Sequence, residues 1–272
     1  MSTLRTLGSA AGAAAVVGGL VLVATPATAA DTATVSILHG VPNTPVDVYA
    51  NGERLIDDFQ PGTLTDPLTL PAGAYDLALF PADAPDGSGE PLLKADDVAV
   101  PAGANATVVA HLKEDGSPTL TPFVNDTSAV PAGQARVTVR HTAAAPAVDV
   151  RAGGTPVVEG LTNPDEATLT APASTITADV VLAGTDTVAI GPADLTLAEG
   201  TSTIVYAWGN GEAGYDLAVQ TIDGMHSMPA GVPGGSAGLA DQDSSLPAVA
   251  ALSVAGLAVA GAGALRVARN RG

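Results

Sequence analysis

The sequence predicts an all-β protein made of two tandem β-sandwich units. Three observations predict it: apolar residues alternate with polar ones along short segments, turn residues punctuate those segments, and the whole pattern occurs twice. Val35, Ile37 and His39 share one face of a first strand, and Val46, Val48 and Ala50 share one face of the next. Tyr75, Leu77 and Leu79 continue the series, followed by Val108, Ala110 and Leu112. In the second half the matching sets are Val137, Val139 and His141, then Val148 and Val150, Val180 and Leu182, and Ile204, Tyr206 and Trp208. Such a period of two is what a half-buried strand requires, because successive side chains point to opposite faces. Asn51-Gly52, Pro71-Ala72-Gly73, Pro101-Ala102-Gly103 and Asn210-Gly211 supply the turns. No helical period interrupts residues 31–224.

The repeat is visible residue by residue. Ala33 to His39 matches Ala135 to His141, and Val46-Asp47-Val48 matches Val148-Asp149-Val150 at the same offset. Gly52 matches Gly154, Pro71-Ala72 meets Pro172-Ala173, and Val98 to Leu112 meets Leu195 to Gly209 at a slightly shorter offset. Each unit is then roughly 95 residues, the length of one sandwich. The organisation read from this is a first sandwich over residues 31–126, a linker over 127–134 stiffened by Pro131, and a second sandwich over 135–224. A Gly/Ser/Pro-rich spacer over 225–245 follows.

The two ends read as addresses. Residues 1–30 have the form of a secretory signal peptide, with Arg5, an apolar run from Ala10 to Ala24, and Ala27-Thr28-Ala29 before the cleavage point. Leu246 to Leu265 carries no charge and, as a helix, is long enough to cross a bilayer. Arg266, Arg269 and Arg271 in the tail 266–272 set its orientation, N-terminus outside. The layout resembles the sorting signal of Gram-positive surface proteins, with Leu246-Pro247-Ala248-Val249-Ala250 in place of Leu-Pro-x-Thr-Gly. Because the Thr-Gly bond is missing, the expected attachment is a single-pass membrane anchor at the cell surface rather than a sortase-made bond to the wall.

Composition excludes several functions. All 28 acidic residues lie between Asp31 and Asp243, where only six of the ten Lys and Arg residues fall, a net charge of about −22 for that span. So acidic a surface repels nucleic-acid phosphate, and nucleic acid is not an expected partner. The chain has no cysteine, which removes disulfides, thiolate catalysis and sulfur-based zinc sites. With one Trp, four Tyr and three Phe, the cores must be built mainly from aliphatic side chains.

A strand ending in Val-x-x-x-His, a Pro-containing turn, Val-Asp-Val, a Gly, and later Leu-Pro-Ala-Gly before a Tyr-containing strand together resemble the DUF4397 family. The residues that carry the resemblance are Val35 to His39, Pro42 and Pro45, Val46-Asp47-Val48-Tyr49, Asn51-Gly52 and Leu70-Pro71-Ala72-Gly73-Ala74-Tyr75. The second copy keeps His141, Pro146, Val148-Asp149-Val150 and Gly154, with Ala171-Pro172-Ala173-Ser174 at the later position. The resemblance implies a secreted or surface protein and a sandwich similar to immunoglobulin or transthyretin modules. The Ala, Val and Gly bias resembles that of actinobacterial proteins.

Among the residues that could carry chemistry, His39 and His141 hold matched strand ends before matched Val-Asp-Val segments. They are read as turn-closing structural residues, with Asp47 and Asp149 as their structural companions. The loop with Asp83, Asp86, Ser88 and Glu90 is a weak calcium candidate without the alternate-residue spacing of an EF-hand. No serine elbow and no phosphate cradle is present, because Asp86-Gly87-Ser88-Gly89 has the wrong spacing. Asn105-Ala106-Thr107 and Asn125-Asp126-Thr127 read as chance glycosylation triplets.

No cofactor and no catalytic residue are expected, and the chain does not read as an enzyme. The function expected is a structural or adhesive module of the envelope, meeting an extracellular protein or glycan. The alternative is a carbohydrate-binding or wall-binding module, for which aromatic platforms such as Trp208 would be needed. A hydrolase is the least supported reading.

Overall fold

In the computed structural model, residues 31–226 are described, and they are all β. The signal peptide, the spacer beyond His226, the Leu246 to Leu265 helix and the basic tail lie outside the described residues. The first unit contains β1 (Thr32–His39), β2 (Val46–Ala50), β3 (Glu53–Phe59), β4 (Leu68–Pro71), β5 (Gly73–Pro81), β6 (Leu93–Val100), β7 (Asn105–Leu112) and β8 (Pro118–Val124). The second contains β9 (Gln134–His141), β10 (Val148–Ala152), β11 (Thr155–Leu161), β12 (Glu166–Pro172), β13 (Ser174–Leu182), β14 (Val188–Leu197), β15 (Ser202–Asn210) and β16 (Gly214–Ile222).

Each unit forms two four-stranded sheets in the same order, β4-β1-β7-β8 with β3-β2-β5-β6, and β12-β9-β15-β16 with β11-β10-β13-β14. The first strand of each unit pairs in parallel with the seventh, Val35 beside Ala106 and Val137 beside Thr203. An immunoglobulin constant-type sandwich places its first strand with the second, fourth and fifth. Here the first strand sits with the fourth, seventh and eighth, so the immunoglobulin half of the fold expectation is corrected.

The alternating positions build the cores. Val35, Leu77 and Val108 are buried together, as are Ile37, Val46 and Val48. In the second unit Val137, Val139, Val148 and Val150 pack between the sheets with Leu161, Val180 and Leu197. The hairpin between β2 and β3 turns through Asn51 and Gly52 at φ of 52° and 82°, the pair of left-handed conformations that a two-residue hairpin loop needs.

The other face of the inner sheets departs from the expectation. A lone sandwich would show polar residues to water on alternate positions, yet β1 is buried from Val35 through His39 and β7 from Ala106 through Leu112. The covering layer is the second sandwich. Leu38, Val109 and Phe123 of the first unit pack against Ile204, Tyr206 and Ala218 of the second. Ile204, Tyr206 and Trp208 therefore do not repeat the core role of Val108, Ala110 and Leu112. Val205 stands beside Val139 on β9, as Val108 stands beside Ile37 on β1, and it is Val205 that faces its own sandwich. A strand covered on both faces is apolar throughout, so alternation alone could not choose between its faces.

Several polar groups inside this interface pair with one another. The Tyr206 hydroxyl donates to Gln220 Oε1 at 2.7 Å and accepts from Arg140 Nη1 at 2.8 Å, while Thr107 Oγ1 also donates to Gln220 Oε1 at 2.9 Å. Arg140 lies over the Phe123 ring, 4.4 Å from its centroid, and its Nε meets Glu166 at 2.7 Å. Asn125 donates to Asn105 Oδ1 and Thr107 Oγ1, so both asparagines of the two triplets are committed to this network.

The segment between the sandwiches is held as well. Val130 is buried and its N–H donates to Met225 O at 2.8 Å. Arg136 donates to the carbonyls of Asp126 and Ser128. Met225, assigned to the spacer by its Gly-rich neighbourhood, is 2% exposed and donates to Gly200 O. The sandwich thus includes Met225, because its side chain completes the packing around Arg136.

Candidate ligand cleft between the sandwiches

The strand ends place the histidines first. β1 ends at His39, whose backbone N–H donates to Thr63 O, and whose ring Nε2–H donates to Thr44 O at 2.7 Å across the β1–β2 turn. A carbonyl can only accept, so Nε2 carries the proton. His141 repeats the geometry, with Nε2–H donating to Pro146 O at 3.0 Å. Both rings are buried, and burial pushes both below the ordinary histidine range, opposed by these carbonyls. Neither ring meets the carboxylate of the following Val-Asp-Val.

The aspartates instead hold β-bulges. Asp47 is 1% exposed; its Oδ1 accepts from Asp58 N at 2.9 Å and its Oδ2 from Arg54 at 3.3 Å. Asp149 Oδ1 accepts from Gly160 N at 2.7 Å and Oδ2 from Gly184 N at 2.9 Å. Asp58 and Gly160 are the residues at φ of 49° and 65° where β3 and β11 slip register against β2 and β10. An extra residue in one strand leaves an N–H outside the ladder, and the carboxylate of the neighbouring strand receives it. Replacing Asp47 by Ala removes that acceptor from a buried site, so Asp47→Ala is expected to cost about 1–3 kcal/mol in urea denaturation. Arg54→Ala, at an exposed partner, should cost clearly less than Asp47→Ala. Equal losses from the two substitutions would assign the stabilisation to the ion pair and not to the bulge.

The calcium candidate loop joins β5 to β6. Asp86 Oδ1 accepts from the Ser88 N–H and hydroxyl, and these bonds hold its carboxyl below the usual range. Among the described residues, no group of three or more His, Asp or Glu side chains is placed to hold a metal ion. Asp83, Asp86, Ser88 and Glu90 therefore do not converge as ligands.

The arrangement best suited to a ligand forms where turns of the two sandwiches meet. A cleft of about 530 Å³ is lined by Pro42, Asn43, Gln60, Trp208, Tyr215 and Asp216, with further prolines at its edge. Trp208 projects from β15 and is wedged against the first sandwich at Gly62 and Gly40. A Cβ on Gly62 would fall 2.7 Å from the indole Cζ2, and one on Gly40 3.3 Å from Trp208 Cβ. Gly62 also has φ of 76°, so conformation and space both call for glycine there. Trp208 Nε1 is buried and has no hydrogen-bond partner, which is rare for an indole donor. Tyr215 is anchored by its hydroxyl on Ala144 O at 3.2 Å. Aromatic surface beside amide and carboxylate groups suits a ligand with both C–H faces and hydroxyls.

Sequence reasoning marked Trp208 as the sole Trp and Pro42 and Pro45 as motif residues. It missed Asn43, Gln60, Tyr215 and Asp216, which become neighbours only when the two units dock. The Gly-rich hairpin after Trp208 was the available signal.

Among curated proteins none matches the sequence. One solved structure, of a candidate cell adhesion protein from Bacteroides uniformis ATCC 8492, aligns with 71% of this chain and 99% of its own at 11% identity, with a TM-score of 0.18. The profile described as a domain of unknown function, DUF4397, matches residues 33–151. That span contains nearly all of the first sandwich and runs on through β9 into β10 of the second.

Proposed function

We propose that this is a non-catalytic cell-surface protein whose two sandwiches act as one rigid adhesive module, with the cleft between them as its contact site. The observation that carries the reading is the cleft itself, built from both units around Trp208. The identical strand orders and matched aspartate-held bulges support reading the second sandwich as a second copy of the first. The buried interface between them supports rigidity, since a flexible pair would not cover Leu38, Val109 and Ile204 so completely. The neutral, carbonyl-bound histidines and bulge-holding aspartates support a non-catalytic role, because these groups are already spoken for. The surface location rests on the sequence of the two ends.

A glycan occupant is favoured over a protein one by a specific observation, the aromatic side chains of Trp208 and Tyr215 lining one cleft with Asn43, Gln60 and Asp216. The test is retention of the full chain on immobilised envelope glycan, comparing Gln60→Ala and Trp208→Phe with the parent. Trp208→Phe keeps an aromatic wedge while shrinking the ring face that the cleft presents. Loss of retention by tenfold or more in both variants is expected. Retention that survives glycosidase treatment and is abolished by protease would replace the glycan with a protein partner. Unaltered retention in both variants would remove the cleft from the mechanism.

A further inference from the structure

The second sandwich is filled less completely than the first, and the cause can be read from matched positions. Leu77 stands opposite Ala95 in the first unit, and Ala178 opposite Ala193 in the second. By the same registers Ile176 replaces Tyr75, Val180 replaces Leu79, and Ala171 replaces Leu70. Each exchange removes at least one carbon from the space between the sheets, and a sandwich held by its ladders closes such space only in part.

What remains is a cavity of about 320 Å³, and all four shortened positions line it. Val137, Val139 and Leu169 form one wall, and Val150, Ile190 and Leu195 belong to the other. It runs along β13 from Ile176 to Val180, about 13 Å at the rise of a strand. Val157 and Val219 also line it and are 43% and 48% exposed, so the cavity reaches the surface through apolar side chains.

We propose that this cavity binds the uncharged alkyl chain of a single-chain amphiphile. An apolar cavity holds no stable water, and one of about 150 Å³ accepts a six-carbon ring, so the volume here corresponds to roughly thirteen carbons at most and leaves room for a ten-carbon chain. The elongated outline fits a chain. Charge excludes a fatty-acid anion. Arg151 is the one cation in the lining, and it is committed to Asp179 at 2.6 Å and Asp186 at 3.2 Å. Asp194 adds a further carboxylate beside it. The site is separate from the Trp208 cleft and does not depend on what occupies that cleft.

The test uses the full chain in isolated cell envelopes and a photoreactive ten-carbon alcohol carrying a diazirine on its chain, with cross-linked peptides mapped by mass spectrometry. Labels are expected on β13 and β14 of the second sandwich. They should fall at least tenfold under a hundredfold excess of 1-decanol, and at least tenfold in Ala178→Leu, which restores the side chain that the first unit has. The corresponding carboxylate probe should label at one tenth or less. Labelling elsewhere, or labelling of β13 and β14 that persists under decanol competition, overturns the proposal. Equal labelling by the carboxylate overturns the assignment to an uncharged chain. Should Ala178→Leu fail to fold, competition on the parent protein decides alone.

Discussion

Ile204→Asp is expected to destabilise the protein by more than about 4 kcal/mol and to abolish its melting as one cooperative unit. Ile204 is 1% exposed and packs with Leu38, Val109, Phe123 and Tyr206 between the two sandwiches. The substitution removes a buried aliphatic side chain, which costs about 2–5 kcal/mol when truncated. It also introduces a carboxyl group with no partner in an apolar layer, a further cost of several kcal/mol or an upward shift until the group is protonated. The parent should melt in a single transition, because the interface is covered like a core and carries the Arg140, Tyr206 and Gln220 network across it. The variant should show two transitions or an unfolded second unit. Val124→Asp, at a position 63% exposed, is the control and should change stability by no more than about 0.5 kcal/mol. Calorimetry separates the outcomes. An Ile204→Asp variant that melts in one transition within about 1 kcal/mol of the parent would mean that the sandwiches fold independently of their contact.

The two-sandwich architecture was legible because each strand carries its own signal. Val35, Ile37, Val46 and Val48 alternate, the turns contain Gly, Asn and Pro, and a second copy repeats the order, so local pattern and global fold agree. The docking of the sandwiches was not legible. Ser36, Thr107, Arg140 and Gln220 look like solvent-facing residues of alternating strands, yet all are buried in the structure. Ser36 and Thr107 are satisfied by Gln220 across more than 100 residues of chain, and Arg140 by Tyr206 and Glu166, and no local period announces such pairings. The same limit hid the cleft, whose lining comes from turns of both units. His39, His141, Asp47 and Asp149 were singled out as paired features of the repeat, but the partners of the two aspartates were not. The bulges at Asp58 and Gly160 send the carboxylates elsewhere, and a bulge inserted in a strand is not visible in alternation. The cavity of the second unit was within reach of the sequence, since Ala178 aligns with Leu77. A size difference becomes informative only once both residues are known to face the core.

Stability is expected to fall as pH is lowered from 7.5 to 5. His39, His111 and His141 are all buried, and burial lowers each from the ordinary value of 6.5. For His39 and His141 a single carbonyl, Thr44 O or Pro146 O, takes the one ring proton, and Nδ1 has no partner among the described residues. His111 is held at both nitrogens, by Leu112 O and Thr121 Oγ1, with His141 and Lys113 nearby to disfavour a second charge. A second proton on any of these rings would place a charge in the interior, which for His141 the nearby Glu114 and Asp165 offset only in part. The direction then follows from linkage. In the folded state the three rings stay neutral below 6.5, whereas in the unfolded chain they take up protons there. The unfolded state therefore binds more protons and gains on acidification, so stability is complete above the unfolded value and declines as pH drops through it. The slope is at most about 1.4 kcal/mol per pH unit for each histidine. Asp86, Asp126, Asp149 and Asp179 are shifted downward by their hydrogen bonds. Their contribution is present above the unfolded carboxylate value of about 3.9 and is lost only as pH falls below it, which leaves the window from 7.5 to 5 to the histidines. Urea denaturation at half-unit pH steps should show the decline, and His111→Gln should flatten it by about a third. A curve that is level or rising toward pH 5 would show that at least one ring accepts its proton in the folded state, and that the buried sites are wetter than their packing indicates.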